Sequence, residues 1–237
     1  MKHRLIARPE LGERNGLSYA LFLPEGEPRA GVAILHGAGS AKESHYDFAR
    51  LARAHEFAAL AYDARGHGRS DGEFGPDAVA DALSMCALVS RHAPALALRG
   101  SSLGATCAIL AAAASGGGVK AVVAICPATE DLLLRGLRAG RLEGFRADVE
   151  RLEQWLQAVR VQEAVAALAP RTALMLMHAR GDEQVPYTMS EEMYAAAGEP
   201  KRLLVLPGGH HRSLQHDMEM QNVSLRFLER ALGVAAS

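Results

Sequence analysis

The sequence predicts an α/β fold whose mostly parallel central sheet is covered by helices on both faces. Three observations predict it. Apolar runs of strand length alternate with helical segments along most of the chain. Several runs are continuous, as strands buried on both faces should be. And 237 residues, 49% of them hydrophobic and 22% charged, suffice for one large core.

Residues 17–23 (Leu-Ser-Tyr-Ala-Leu-Phe-Leu) predict an early strand, closed by Pro24-Glu25-Gly26. Residues 31–35 predict a buried strand ending in His36-Gly37-Ala38-Gly39-Ser40, and a helix follows over about 46–55 with Phe48, Leu51 and Ala52 on one face. The next strand, 58–62, runs into Asp63-Ala64-Arg65-Gly66-His67-Gly68-Arg69-Ser70. Pro76 and Asp77 open a helix reaching about Arg91. A strand begins at Leu96, and a helix spans 103 to about 114, stopped by Gly116-Gly117-Gly118. Residues 121–125, 172–178 and 202–206 give three more strands, and a final helix covers about 216–232.

One stretch breaks the alternation. Between Thr129 and Ala169 no strand is evident, and Leu142, Phe145, Val149, Leu152, Leu156 and Val159 recur at helical spacing. The expected organisation is a core of 1–128 and 170–237, with 129–169 inserted as a small helical cap. Trp155 and the apolar stripe are expected to form cap core. Arg135, Arg138, Arg141, Arg146 and Arg151 are expected to be a solvated basic face, with an anionic substrate such as coenzyme A as the alternative.

The candidate chemistry centres on Gly100-Ser101-Ser102-Leu103-Gly104, which fits Gly-x-Ser-x-Gly between a strand and a helix. In such an elbow the serine backbone is strained and its hydroxyl stands above the strand end. Side chains at Gly100 and Gly104 would meet the neighbouring strand and helix. Two more chemistry-bearing segments also follow strands: Gly181-Asp182-Glu183, and Pro207-Gly208-Gly209-His210-His211. Strand ends of a parallel sheet share one edge, so a serine, a carboxylate and an imidazole far apart in sequence can converge there. The residues alone leave Asp182, Glu183, Glu130 and Asp131 as acids, and His210 or His211 as base.

These motifs, in this order, resemble the α/β-hydrolases, of the branch that includes small esterases, monoglyceride lipases and serine-aminopeptidase-like hydrolases. The likeness runs from about Leu17 to Leu232 and includes His36-Gly37 and the Asp63 to Ser70 segment. It implies an α/β-hydrolase fold and a triad in the order Ser102, Asp182, His211. The usual Gly-Asp step favours Asp182, and Pro-Gly-x-x-His aligned on Pro207 favours His211. Ser102 would attack, His211 would take its proton, and Asp182 would hold the imidazole tautomer. The backbone N–H of Leu103 and, by resemblance, that of Ala38 would form the oxyanion hole. The expected activity is cleavage of carboxylic esters with short to medium acyl chains through an acyl-enzyme. Thioester or amide cleavage, and non-catalytic ligand binding, are the alternatives. A serine at the elbow argues against dehalogenases and epoxide hydrolases, which carry aspartate there.

The remaining features are expected to be bland. His36 should hydrogen-bond loop backbone behind the oxyanion turn, His67 should fix its glycine-rich loop, and His216 should start the last helix facing solvent. No HExxH or spaced Cys/His set suggests a metal, and Gly116-Gly117-Gly118 follows a helix instead of opening one, so no phosphate cradle and no cofactor are expected. A net charge of −1 gives no field for nucleic acid. Cys86, Cys107 and Cys126 sit in apolar runs without CxxC spacing, which suggests reduced thiols and a cytoplasmic chain acting on a small-molecule ester. The basic stretch from Met1 to Pro9 lacks the apolar run of a signal peptide, and no segment is long and apolar enough to insert in a membrane.

Overall fold

The computed structural model describes residues 8–234. Most of the basic N-terminal stretch, 1–7, lies outside the described residues. The chain forms one eight-stranded sheet: β1 (Glu10–Arg14), β2 (Leu17–Phe22), β3 (Ala30–Leu35), β4 (Phe57–Tyr62), β5 (Leu96–Ser101), β6 (Val119–Ile125), β7 (Ala173–Ala179) and β8 (Lys201–Leu206). The spatial order is β1-β2-β4-β3-β5-β6-β7-β8. β2 pairs antiparallel with β1 and β4, and every other pairing is parallel. This is the α/β-hydrolase fold with a mostly parallel sheet.

The helices are α1 (Tyr46–Ala54), α2 (Ala78–Val89), α3 (Leu103–Ala114), α4 (Glu130–Arg138), α5 (Val149–Ala158), α6 (Val161–Leu168), α7 (Thr188–Ala196), α8 (Ser213–His216) and α9 (Met218–Ala231). The strands supply two cores because alternate residues face opposite sides. Leu60, Leu98, Val122, Leu174 and Leu176 pack with α2, α3 and α6 residues such as Met85, Ile109 and Val165. Ile34, Ala61, Val123, Met175 and Met177 pack on the other face with Phe48 of α1 and Leu225 and Leu228 of α9. β3, β4 and β7 are buried along their whole length, which explains why their sequences are unbroken apolar runs.

Several elements differ from the sequence expectation. β1 forms a hairpin with β2 through Asn15 and Gly16, both at positive φ (54° and 76°). The strand Glu-Leu-Gly-Glu-Arg is too charged and exposed to carry an apolar pattern. The C-terminal helix is two helices: Asp217 leaves helical conformation (ψ 124°) and caps α9 by accepting the Met220 N–H at 2.9 Å. His216 therefore ends α8 instead of starting the long helix, although it is exposed as expected. Leu142 and Phe145 lie in irregular chain between α4 and α5, because Gly140 and Gly144 take positive φ (63° and 83°) and interrupt the helix. Val149, at 58% exposed, leaves the apolar stripe altogether.

Within 129–169, α4 and α5 pack on each other, while α6 packs on α3 beside the sheet. The irregular connector is stitched down onto the core. Arg146 N–H donates to Gly66 O (3.0 Å), Phe74 N–H to Arg146 O (2.9 Å), and the Arg146 guanidinium to Ser70 O (2.8 Å). Trp155 stands edge-on to Phe74, with ring centroids 5.9 Å apart. No helix among the described residues is long and apolar enough to cross a membrane.

Candidate active site

The elbow follows from close packing of β5 against α3. A Cβ on Gly100 would strike the backbone of Gly104, and one on Gly104 would strike the carbonyls of Leu35 and His36. Without those side chains α3 starts directly at the strand end, which forces Ser102 to φ 52°, ψ −123°. Positive φ in a non-glycine residue is strained backbone. It is retained here because Ser102 N–H donates to Ile125 O (2.8 Å), prolonging the ladder to β6.

The carboxylate of Asp182 lies beyond β7 and is fully buried. One oxygen, Oδ1, accepts the N–H groups of Gln184 (2.9 Å) and Val185 (2.8 Å). The other, Oδ2, accepts His211 Nδ1–H at 2.7 Å and lies 3.2 Å from His178 Nε2. Burial alone would raise the Asp182 pKa. The hydrogen bonds from His178, His211, Val185 and Gln184 outweigh it and hold the group well below the usual carboxylate range. With Nδ1 donating to Asp182, the His211 lone pair is on Nε2.

The rival residues go elsewhere. His210 is exposed; its N–H donates to Ser213 Oγ (2.8 Å), and its Nδ1 accepts the Arg212 N–H (3.3 Å). Glu183 does not face the His211 ring but accepts the His211 backbone N–H (3.1 Å), steadying the loop. Glu130 accepts the Val161 N–H at the start of α6 (3.2 Å), and Asp131 is exposed in the first turn of α4.

Ser102 and His211 line one cavity of about 330 Å³, together with Gly37, Ala38, Gly39, Ser40 and Leu103. Among the described residues Ser102 Oγ makes no hydrogen bond in this structure, and catalytic contacts in ligand-free sites often tighten only with substrate. Neither the Ala38 nor the Leu103 N–H is donated to another protein group among the described residues. His36 explains the orientation of the first. Its Nε2 accepts the Ala64 N–H (3.0 Å), so Nδ1 carries the proton and donates it to Gly37 O (2.8 Å). That carbonyl and the Ala38 N–H belong to one trans peptide, so fixing one toward His36 turns the other away from it.

His67 donates its Nδ1–H to its own loop, at Arg65 O (3.0 Å), and stacks on Phe145 (centroids 4.5 Å apart, planes 12° apart). Burial pushes its pKa down to about 4, and burial also lowers those of His36 and His45. All three remain neutral below pH 6.5, where the unfolded chain takes up protons. The sign follows: a depressed histidine pKa removes stability as pH falls from about 6.5 toward the folded value. Urea melts at falling pH should show unfolding free energy dropping over roughly pH 6.5 to 4, with His67 alone worth roughly 3 kcal/mol once charged. A flat profile in that window would contradict the burial of these rings.

Sequence reasoning missed several contributors. Lys42 forms a buried ion pair with Asp63 (Nζ–Oδ2 2.7 Å), and Asp63 also accepts the N–H groups of Lys42 and Arg69. This ties the turn after the His36–Ser40 segment to the loop after β4. His178 lies one helical-type step before Asp182, and only its place at the end of β7 could have suggested a role. Cys126, strained at φ 47°, brings its Sγ within 4.8 Å of donor atoms of Asp182 and His211. Burial, then the Asp182 charge, pushes this thiol up, which keeps it protonated. The three could ligate a soft cation, but both Asp182 oxygens are already engaged by hydrogen bonds.

A second, adjoining cavity of about 430 Å³ is also lined by Ser102, with Ala128, Leu132, Leu133, Gly136, Leu142, Val185, Arg141, Glu183 and Gln184. Ser102, with Leu133, Arg141, Leu142 and Gln184, is common to this more apolar lobe and the more polar one.

The family model described as serine aminopeptidase, S33, matches residues 26–139. A curated relative, the uncharacterized protein YfhR of Escherichia coli O157:H7, is 27% identical over 190 residues, covering 76% of this chain and 63% of that protein. The chain thus spans less than two thirds of that relative's length. Among solved structures, Est1E of Butyrivibrio proteoclasticus with bound ferulic acid is similar at TM-score 0.72 and 20% identity, covering 94% of this chain and 99% of that one. The monoacylglycerol lipase of Paleococcus ferrophilus is similar at TM-score 0.71 and 18% identity, covering 92% and 99%. The solved structures share the α/β-hydrolase fold with this chain, and the family model falls on its N-terminal half.

Proposed function

We propose that this protein is a cofactor-independent serine hydrolase that cleaves carboxylic esters of short to medium acyl chain. The observation that carries the reading is the Asp182–His211 hydrogen bond at 2.7 Å on the wall of the cavity that Ser102 enters. Ser102 Oγ attacks the ester carbonyl while His211 Nε2 takes its proton. Asp182 keeps the imidazole in the Nδ1–H tautomer and stabilises the imidazolium. The N–H groups of Ala38 and Leu103 stabilise the oxyanion. As the intermediate collapses, the carbonyl–alkoxy bond breaks and His211 returns the proton to the departing alcohol. Water, deprotonated by the same ring, then releases the acid. The apolar lobe suits the acyl chain, and segment 129–169, supplying its Leu132, Leu133 and Leu142, acts as a cap. The Paleococcus protein named as a monoacylglycerol lipase and the ferulic acid held by Est1E support ester chemistry. Three free, buried cysteines support a reducing, cytoplasmic setting.

A panel of p-nitrophenyl esters, acyl-CoA thioesters and aminoacyl amides tests the reading. Esters of two to eight carbons should be cleaved fastest. Preference for thioesters or amides would replace the substrate class, and no turnover by folded protein would favour a ligand-binding role. On the preferred ester, His36→Phe should lower kcat roughly tenfold to a hundredfold with little change in KM, because the Ala38 N–H loses its orientation. Reduced thermal stability with unchanged kcat would assign His36 a structural role only.

A further inference from the structure

The five arginines of the inserted segment are all exposed, as expected of a solvated face, but they separate by partner. Arg138 pairs with Glu153 (2.6 Å), Arg151 with Asp77 (3.1 Å), and Arg146 holds loop carbonyls. Arg135 lines neither lobe beside Ser102. Arg141 alone lines both lobes. It follows the end of α4, where its N–H donates to Gly136 O at 2.8 Å. A second cation, Arg212, comes from the loop that carries His211 and lines the polar lobe with it. Among the described residues neither guanidinium has a carboxylate within ion-pair distance.

The lobes also differ by role in the reaction. The alcohol leaves from the side where His211 can protonate it, and His211 lines the polar lobe. The acyl chain then falls to the apolar lobe under α4. In the polar lobe the charged linings besides His211 are Arg141, Arg212 and Glu143, two positive against one negative. The carboxylate of Glu183 lines the apolar lobe and is engaged by the His211 backbone N–H.

Resting on the ester-hydrolase reading, we propose that the polar lobe binds the alcohol half of the substrate and that Arg141 and Arg212 select an alcohol bearing a carboxylate or phosphate. Guanidinium forks suit both oxyanions, and because Arg141 and Arg212 are exposed at the cavity the attraction is sensitive to salt.

The test compares butyrate esters of 4-hydroxybenzoate, 4-hydroxybenzamide and 4-hydroxyphenyl phosphate. The first two differ in charge with nearly equal shape. The anionic esters should show roughly tenfold higher kcat/KM than the carboxamide at low salt, shrinking as salt is added. Preference for the phosphate over the benzoate, or the reverse, identifies the oxyanion. Arg141→Gln and Arg212→Gln should each lower the charged-to-neutral ratio, and together bring it near one. Glu143→Gln should raise it, and Arg135→Gln should leave it unchanged. A ratio near one in the wild type, or one untouched by either cavity arginine, overturns the proposal. Equilibrium binding of the free 4-hydroxybenzoate and 4-hydroxybenzamide to Ser102→Ala reads the same selectivity without turnover. If no ester is cleaved, the hydrolase reading falls. The cation site then stands or falls on whether the benzoate binds more tightly than the benzamide.

Discussion

Ser102→Ala, His211→Ala and the double variant should lose nearly the same activity, about 10⁴- to 10⁶-fold in kcat on a p-nitrophenyl ester. The reason is cooperative chemistry. A serine hydroxyl is a weak nucleophile without a base, and an imidazole without the hydroxyl has nothing to activate. Residual turnover would come from the oxyanion donors and substrate positioning, which both variants keep. Additive losses would mean that the two side chains do not act on one step. His210→Ala is the control, since among the described residues its ring bonds only the backbone of Arg212. If that variant were dead and His211→Ala active, the base would be the wrong neighbour.

The second large effect is expected at Asp182. This carboxylate accepts from three donors, two backbone N–H groups and the His211 ring, while His178 Nε2, which donates to Val185 O (2.9 Å), lies 3.2 Å away. An amide cannot accept at all of them, because one of its two terminal atoms is itself a donor. Asp182→Asn should therefore turn the His211 ring to the wrong tautomer and lower kcat about 10⁴-fold, with KM little changed. Stability should also respond, with a pH signature. A depressed carboxylate pKa contributes stability above the ordinary value, near 4, and loses it as pH falls through the folded value. The stability gap between wild type and Asp182→Asn should therefore be largest near neutral pH and narrow below about pH 4. A gap independent of pH would contradict the assigned burial and bonding of this group.

Much of the fold was legible because its parallel strands are buried on both faces. Continuous runs such as Ala30–Leu35 and Phe57–Tyr62 carry that burial directly in their composition. β1 was not legible because an exposed edge strand needs no apolar pattern, although Asn15-Gly16 was the available turn signal. α7 (Thr-Met-Ser-Glu-Glu-Met-Tyr-Ala-Ala) has only Ser190 and Met193 fully buried, so no strong stripe marks it. In the inserted segment, helical spacing of Leu142 and Phe145 competed with two glycines, and the glycines won.

The candidate site divides in the same way. Ser102 sits in a motif whose glycines have a visible steric reason. The elbow, the acid loop and the histidine loop each follow a strand end, which parallel topology brings to one edge. Adjacent residues on an irregular loop are harder. The side chains of His210 and His211 diverge only because of the turn that anchors His210 N–H to Ser213 Oγ. Nor does sequence spacing distinguish Arg141 from Arg138, one of which lines the cavity while the other pairs with Glu153.

Covalent labelling with a fluorophosphonate, followed by a structure of the adduct, probes the convergence of these three loops most directly. One phosphonyl group is expected on Ser102 Oγ, its oxygen facing the Ala38 and Leu103 N–H groups and His211 Nε2 within hydrogen-bond reach of the ester oxygen. Folded protein that resists the reagent, or carries it on another residue, would contradict that convergence.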